Sequence, residues 1–216
     1  MIAGITLKVC GLTTVGDAQF AAAGGVDYLG FNLYPQSPRY LPLEKYKAFS
    51  ARLPALEKVA ILVTPTAAEL ATAAAAGFDR FQVHFSLETA AAVVGSWAET
   101  VGVSRLWLAP KLPPADDVPA ALLPFAKTFL LDTFHAGGFG GSGKTGDWAK
   151  FARHAQRHED KTWILAGGLN PENIATAVTR SGARFVDVNS GVESAPGVKD
   201  EAKLRRLVAN LAVHRE

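Results

Sequence analysis

The stretch TWILAGGLNPENIATAVTRSGARFVDVNS, residues 162–190, holds one full turn of a repeating pattern. An apolar run of strand-like composition breaks at Gly167-Gly168, and an alanine-containing segment of helical character follows. Asn170 and Pro171 read as a cap with proline at the first helical position. Gly182 reads as the C-terminal cap, since glycine takes the left-handed conformation that ends helices without steric cost. RFVDVNS then starts a second strand. Strand, helix and strand within about 30 residues make a parallel βαβ unit.

The same alternation extends in both directions. Strand candidates fall at 5–11, 28–34, 58–64, 80–86, 105–111, 128–134, 162–168 and 184–190, and helix candidates near 14–24, 43–53, 66–76, 87–99, 116–126, 147–158, 171–181 and 200–213. Thr66, Ser86 and Asp147 read as N-caps, and Gly24-Gly25 and Gly77 as helix ends. The fifth helix is the weakest, with prolines at 113, 114, 119 and 124. Eight βα units without a spare strand predict a single (β/α)8 TIM barrel domain over 1–216. An open, doubly wound sheet is the structural rival.

Composition agrees with a soluble globular protein. The chain has 216 residues, 49% hydrophobic and 19% charged, enough to bury a sizeable core. Its 22 basic and 20 acidic side chains nearly cancel, without a basic run, so a nucleic-acid partner is not expected. No apolar run approaches the roughly 20 residues that span a bilayer, and the N-terminus lacks the pattern of a signal peptide. One cysteine, Cys10, excludes internal disulfides and cysteine-rich zinc sites. A cytoplasmic protein without membrane partner is expected.

A barrel places its chemistry at the C-terminal ends of its strands. There the apolar runs give way to Cys10, Asn32, His84, Asp132, Asp187 and Asn189. Strand alternation puts Phe185, Asp187 and Asn189 on one face. Cys10 on strand 1 and Asp132 on strand 6 then face each other across the mouth, three strands apart. The bland readings are a buried apolar thiol for Cys10, a loop or helix cap for Asp132 and a packed imidazole for His84. AGGLNPEN and DVNSGVES, after strands 7 and 8, place glycines where backbone N–H groups can approach an anion. Gly167, Gly168, Ser190 and Gly191 are thus the expected phosphate grip. Arg39, in the proline-restricted YPQSPRY, is a forked donor for a carboxylate, or else a solvated surface arginine.

The set KVCGLT, GFNLYPQSPRY, LLDT…GGSGKTGDW, AGGLNPENI and VDVNSGVES, in this order, resembles the phosphoribosylanthranilate isomerases of tryptophan biosynthesis. The resemblance covers nearly the whole chain. It implies an Amadori rearrangement of a small phosphoribosyl substrate on a (β/α)8 barrel. Cys10 would be the general base and Asp132 the general acid, with Arg39 on the substrate carboxylate and Asp187 lining the site. It implies neither metal nor organic cofactor, and a monomer or homodimer. Two departures bear on pocket shape: Phe85 replaces a glycine after strand 4, and Asn189 replaces the first of two serines.

Rival readings remain within the barrel class. An indole-glycerol-phosphate synthase needs a lysine at a strand end, for which Lys111 is the candidate. Histidine-pathway isomerases use paired aspartates, one where this chain has Cys10. A catalytically silent binding module is the other alternative. GGFGGSGKT, 137–145, matches the phosphate-loop pattern of nucleotide-binding proteins. Gly146 after its Lys-Thr is a poor helix start, so the segment reads instead as a glycine-rich lid following Asp132.

Overall fold

The computed structural model describes residues 1–132 and 147–213. The glycine-rich 137–145 segment, and with it the lid reading, lies outside the described residues.

Eight parallel strands close a barrel in sequence order: β1 Thr6–Val9, β2 Tyr28–Asn32, β3 Glu57–Val63, β4 Arg80–Ser86, β5 Leu106–Lys111, β6 Thr128–Leu131, β7 Thr162–Leu165 and β8 Phe185–Val188. Closure runs from Thr6 against Phe185 to Val9 against Val188, so β1 and β8 are neighbours. The open-sheet alternative is thereby excluded. Around the barrel lie α1 Val15–Ala23, α2 Leu43–Phe49, α3 Ala67–Ala75, α4 Ala91–Val101, α5 Trp148–Arg157, α6 Ile174–Ser181 and α7 Glu201–Val213. A hairpin of β9 Glu193–Ala195 and β10 Val198–Lys199 follows β8.

Local signals explain most helix ends. Thr66 caps α3 in a reciprocal box with Glu69, satisfying two orphan donors at once. Asp147 accepts from Lys150 N and caps α5, and Gly182 ends α6 in the left-handed conformation. Two starts differ from expectation. Ser86 belongs to β4, its hydroxyl accepts from Glu88 N, and α4 begins only at Ala91. Asn170 accepts from Glu172 N and Asn173 N in a turn, and α6 begins at Ile174. The fifth helix is replaced by a 3-10 segment, Ala120–Phe125, because proline lacks the N–H that an α-helix interior requires.

Alternation along each strand sorts the side chains into two apolar layers. Leu7, Val9, Leu29, Phe31, Phe81 and Val83 face the helices. Val59, Ile61, Trp107, Leu130, Ile164 and Phe185 fill the interior. Near the strand starts Tyr28, Trp107 and Phe185 form an aromatic plug with ring centroids 5.1–5.5 Å apart. Each such pair is worth about 0.5–1.5 kcal/mol beyond its buried area. The plug closes the bottom, so polar groups accumulate at the opposite end. Among the described residues no helix is long and apolar enough to cross a membrane.

Candidate active site

At the strand C-termini the described residues line a cavity of about 250 Å³ that receives Cys10, Arg39, His84, Asp132, Asp187 and Asn189. Cys10 continues the β1–β8 pairing, its N–H donating to Val188 O at 2.8 Å. Gly11 then turns the chain with φ +71°. A Cβ there would lie 2.6 Å from Asn189 Oδ1 and 2.8 Å from Arg39 Cδ, so glycine is what lets these two side chains close on the mouth. Asp132 lies one residue beyond β6, at the position three strands around the ring from β1.

Beneath Cys10 lies an ion pair that sequence reasoning missed. Lys8 Nζ is 2.9 Å from Asp187 Oδ2, with side chains 0% and 8% exposed. Burial works against the Lys8 ammonium, but Asp187 and Cys10 outweigh it and hold the group charged. Burial also pushes the Asp187 carboxyl up, against the pull of Lys8. The Cys10 thiol stands above its usual range: burial raises it most, and the opposing charges of Lys8 and Lys199 do not compensate. Nearby cations therefore exist, but burial outweighs them and favours the protonated thiol. Burial, then the charge of Lys8, push His84 down to about 4, so its ring is neutral near pH 7. It pairs with Gln82 Nε2 at 2.8 Å.

Arg39 is neither solvated nor free. Its Nε and Nη2 grip Glu193 at 2.6–3.0 Å, and Lys199 Nζ meets the same carboxylate at 2.8 Å. Lys199 also donates to Asn189 Oδ1 at 3.0 Å. The β9–β10 hairpin thus anchors the guanidinium at the mouth, leaving Nη1 without an acceptor among the described residues. Although burial disfavours its charge, Glu193 is held below the ordinary range by these cations.

Gly167 and Gly168 follow β7 with φ +89° and +64°, and line the cavity with Ser190. A Cβ on Gly191 would lie 2.0 Å from Leu169 O, so the loops after β7 and β8 touch only because Gly191 has no side chain. Among the described residues none offers an acceptor to the N–H groups of Gly167, Gly168, Ser190 or Gly191. Nor does any group of three or more His, Cys, Asp or Glu side chains there suit a metal ion.

The family profile described as N-(5'phosphoribosyl)anthranilate (PRA) isomerase matches residues 7–210. The chain belongs to this isomerase family. An N-(5'-phosphoribosyl)anthranilate isomerase of Cereibacter sphaeroides (strain ATCC 17029 / ATH 2.4.9) is 38% identical over 216 residues, covering 94% of this chain and 96% of the relative. The phosphoribosyl anthranilate isomerase of Thermus thermophilus superposes with a TM-score of 0.80 at 31% identity, covering 98% and 100% of the two chains. Another phosphoribosyl anthranilate isomerase, 27% identical with a TM-score of 0.76 over 96% and 98%, was solved with reduced 1-(o-carboxyphenylamino)-1-deoxyribulose 5-phosphate.

The two departures from the isomerase pattern have different weight. Phe85 is buried on the outer face of β4, packed edge-on to Trp97 with centroids 5.4 Å apart, and is not among the described residues lining the cavity. Asn189 does line it. Lys111, the lysine wanted by the synthase rival, ends β5 but is not among the described residues lining the cavity. Lys8, Glu193 and Lys199 were the functional neighbours missed. A charge inside an apolar strand, two residues from Cys10 and hence on its face, was the available signal for Lys8.

Proposed function

We propose that Cys10 and Asp132 are the base and acid that convert N-(5-phosphoribosyl)anthranilate to 1-(2-carboxyphenylamino)-1-deoxyribulose 5-phosphate in tryptophan biosynthesis. The observation that carries this reading is their convergence, from β1 and β6, on one cavity with anion grips at its rim. Asp132 gives its proton to the ring oxygen as the C1–O bond breaks, and the nitrogen lone pair forms an iminium. The Cys10 thiolate takes the C2 proton, and the C–H electrons pass through C1 to the nitrogen. The resulting enolamine tautomerises to the ketone. The iminium is itself the electron sink, which is why this chemistry calls for no cofactor. Its positive charge, forming beside Cys10, favours the thiolate that burial disfavours.

Remote grips align the sugar between acid and base. The carboxylate belongs at Arg39 and the phosphate at the N–H groups of Gly167, Gly168, Ser190 and Gly191, with Asp187 lining the sugar. The ligand in the related complexed structure carries both a carboxylate and a phosphate, which supports the need for two anion grips. We read 1–216 as one such domain working in the cytoplasm.

Substrate generated enzymatically should lose its anthranilate fluorescence on adding the purified protein; unchanged fluorescence would sink the isomerase reading. Arg39→Ala should raise KM at least about 10-fold, as loss of a charge-assisted pair does, with kcat much less affected. An unchanged KM would return Arg39 to a purely structural role with Glu193. Gly191→Ala should cost about 1–3 kcal/mol by overpacking, because the backbone oxygen of Leu169 has little room to retreat. KM should rise with it; a variant with normal melting temperature and KM would remove this loop contact from the phosphate grip.

A further inference from the structure

Lys8 is a fully buried charge of the site to which the chemistry above gives no task. It sits within β1 on the inward face it shares with Cys10, and it is fully buried. The neighbouring β2 has Gly30 beside it. A Cβ at Gly30 would lie 3.0 Å from Lys8 Cε and 3.0 Å from Cys10 Cα, so the missing side chain is the slot in which the lysine stem lies. At its tip Nζ reaches Asp187 Oδ2, while Asp187 Oδ1 is buried without a hydrogen-bond partner among the described residues.

Such a pair is a poor stabilising device. A buried ion pair is commonly no better for stability than apolar side chains of similar volume. What it supplies is a fixed charge in a water-poor space, where a charge acts strongly on its neighbours. The groups facing Cys10 come from several elements. Lys8 on β1 and Asp187 on β8 are nearest in effect, followed by Lys199 on β10, which is itself neutralised by Glu193. Arg39, from the loop after β2, is paired with the same Glu193. Asp132 lies across the cavity and His84 on β4 is neutral. Lys8 is thus the cation seated against Cys10 beside Gly30, and Asp187 the anion that offsets it.

We propose that Lys8 is a positioning residue for the base: seated in the slot left by Gly30 and shared between Asp187 and Cys10, it decides when the thiol gives up its proton. While Asp187 is paired with Lys8 alone, it absorbs much of the ammonium's field, which favours the protonated thiol. A ligand donor that engages Asp187 Oδ1 draws the carboxylate away electrostatically, and the field of Lys8 falls on the sulfur. The base is then released only with the site occupied. The proposal rests on Cys10 being the base, but its test does not require turnover.

Because Cys10 is the sole cysteine, thiolate absorbance at 240 nm, read as the difference from a Cys10→Ser variant, reports this group alone. Asp187→Asn should move the titration midpoint down by about one pH unit, and Lys8→Met should move it up by about one unit, as expected for adjacent charges. Lys8→Met/Asp187→Asn leaves neither charge buried alone, so it keeps the comparison decisive should Lys8→Met not fold. The double variant should titrate about one unit above Asp187→Asn and turn over about 10-fold more slowly, in line with one pH unit of lost ionisation. Coincident midpoints for Asp187→Asn and the double variant would overturn the proposal and leave Lys8 a structural partner. Ordered midpoints in a protein without isomerase turnover would overturn the proposed reaction while sustaining the Lys8–Cys10 coupling.

Discussion

Cys10→Ala should lower kcat by at least about 100-fold, the usual weight of a positioned acid–base group, with KM changed much less. The substitution removes only a sulfur atom from a side chain 5% exposed. The N–H of residue 10 still reaches Val188 O and the β1–β8 closure is untouched. Loss of rate is therefore not a folding effect, which an unchanged thermal transition would check. A pH profile adds the sign. The thiol of the free protein stands above its ordinary value because burial disfavours the charged form. The base works deprotonated, so kcat/KM should climb as pH rises towards that value and fall as pH drops below it. Cys10→Ala should flatten this climb. Near-normal turnover in the variant, or a wild-type profile without an alkaline climb, would take Cys10 out of the role of base.

Asp132→Asn is expected to cause a loss of similar size, about 100-fold or more in kcat, for a different reason. Asparagine keeps the shape and hydrogen-bonding reach of the side chain but has no acidic proton to give the ring oxygen. Asp132 is only half-buried and lies past the last residue of β6, so the exchange leaves the barrel ladder intact. The carboxylate and phosphate grips proposed at Arg39 and at the glycine loops are made by other groups, and KM should stay within a few-fold of wild type. Retained turnover would remove Asp132 from ring opening. A large rise in KM with kcat preserved would make it a binding group instead.

The barrel was legible because each strand is a short apolar run that ends in polar residues. That pattern requires burial on two faces and access at one end. Phe185, Asp187 and Asn189 came out on one face from period-two alternation alone. Helix starts were read less well. The side chains of Ser86 and Asn170 accept backbone N–H bonds two or three residues on, which is the same local bond whether a helix or merely a turn follows. Thr66 succeeded because Glu69 answers it within the next turn. The electrostatics were hidden for another reason. Lys8 finds Asp187 179 positions away, and Arg39 finds Glu193 154 positions away. Only closure of the ring brings such pairs together, so no local window of sequence contains them. Phe85 was over-weighted for want of one fact, that odd positions of β4 point to the helices.

The burial of Cys10, which favours its protonated form, has a consequence for survival in an oxidising environment. Peroxide attacks thiolates, not thiols, and sulfinic or sulfonic products are not normally reversed. A base permanently ionised at an open barrel mouth would therefore be consumed by oxidants between turnovers. Under the proposed mechanism the sulfur is chemically quiet until substrate enters, and becomes nucleophilic only when that substrate blocks the way in. The burial that would make the thiol a reluctant base would also make it a durable one.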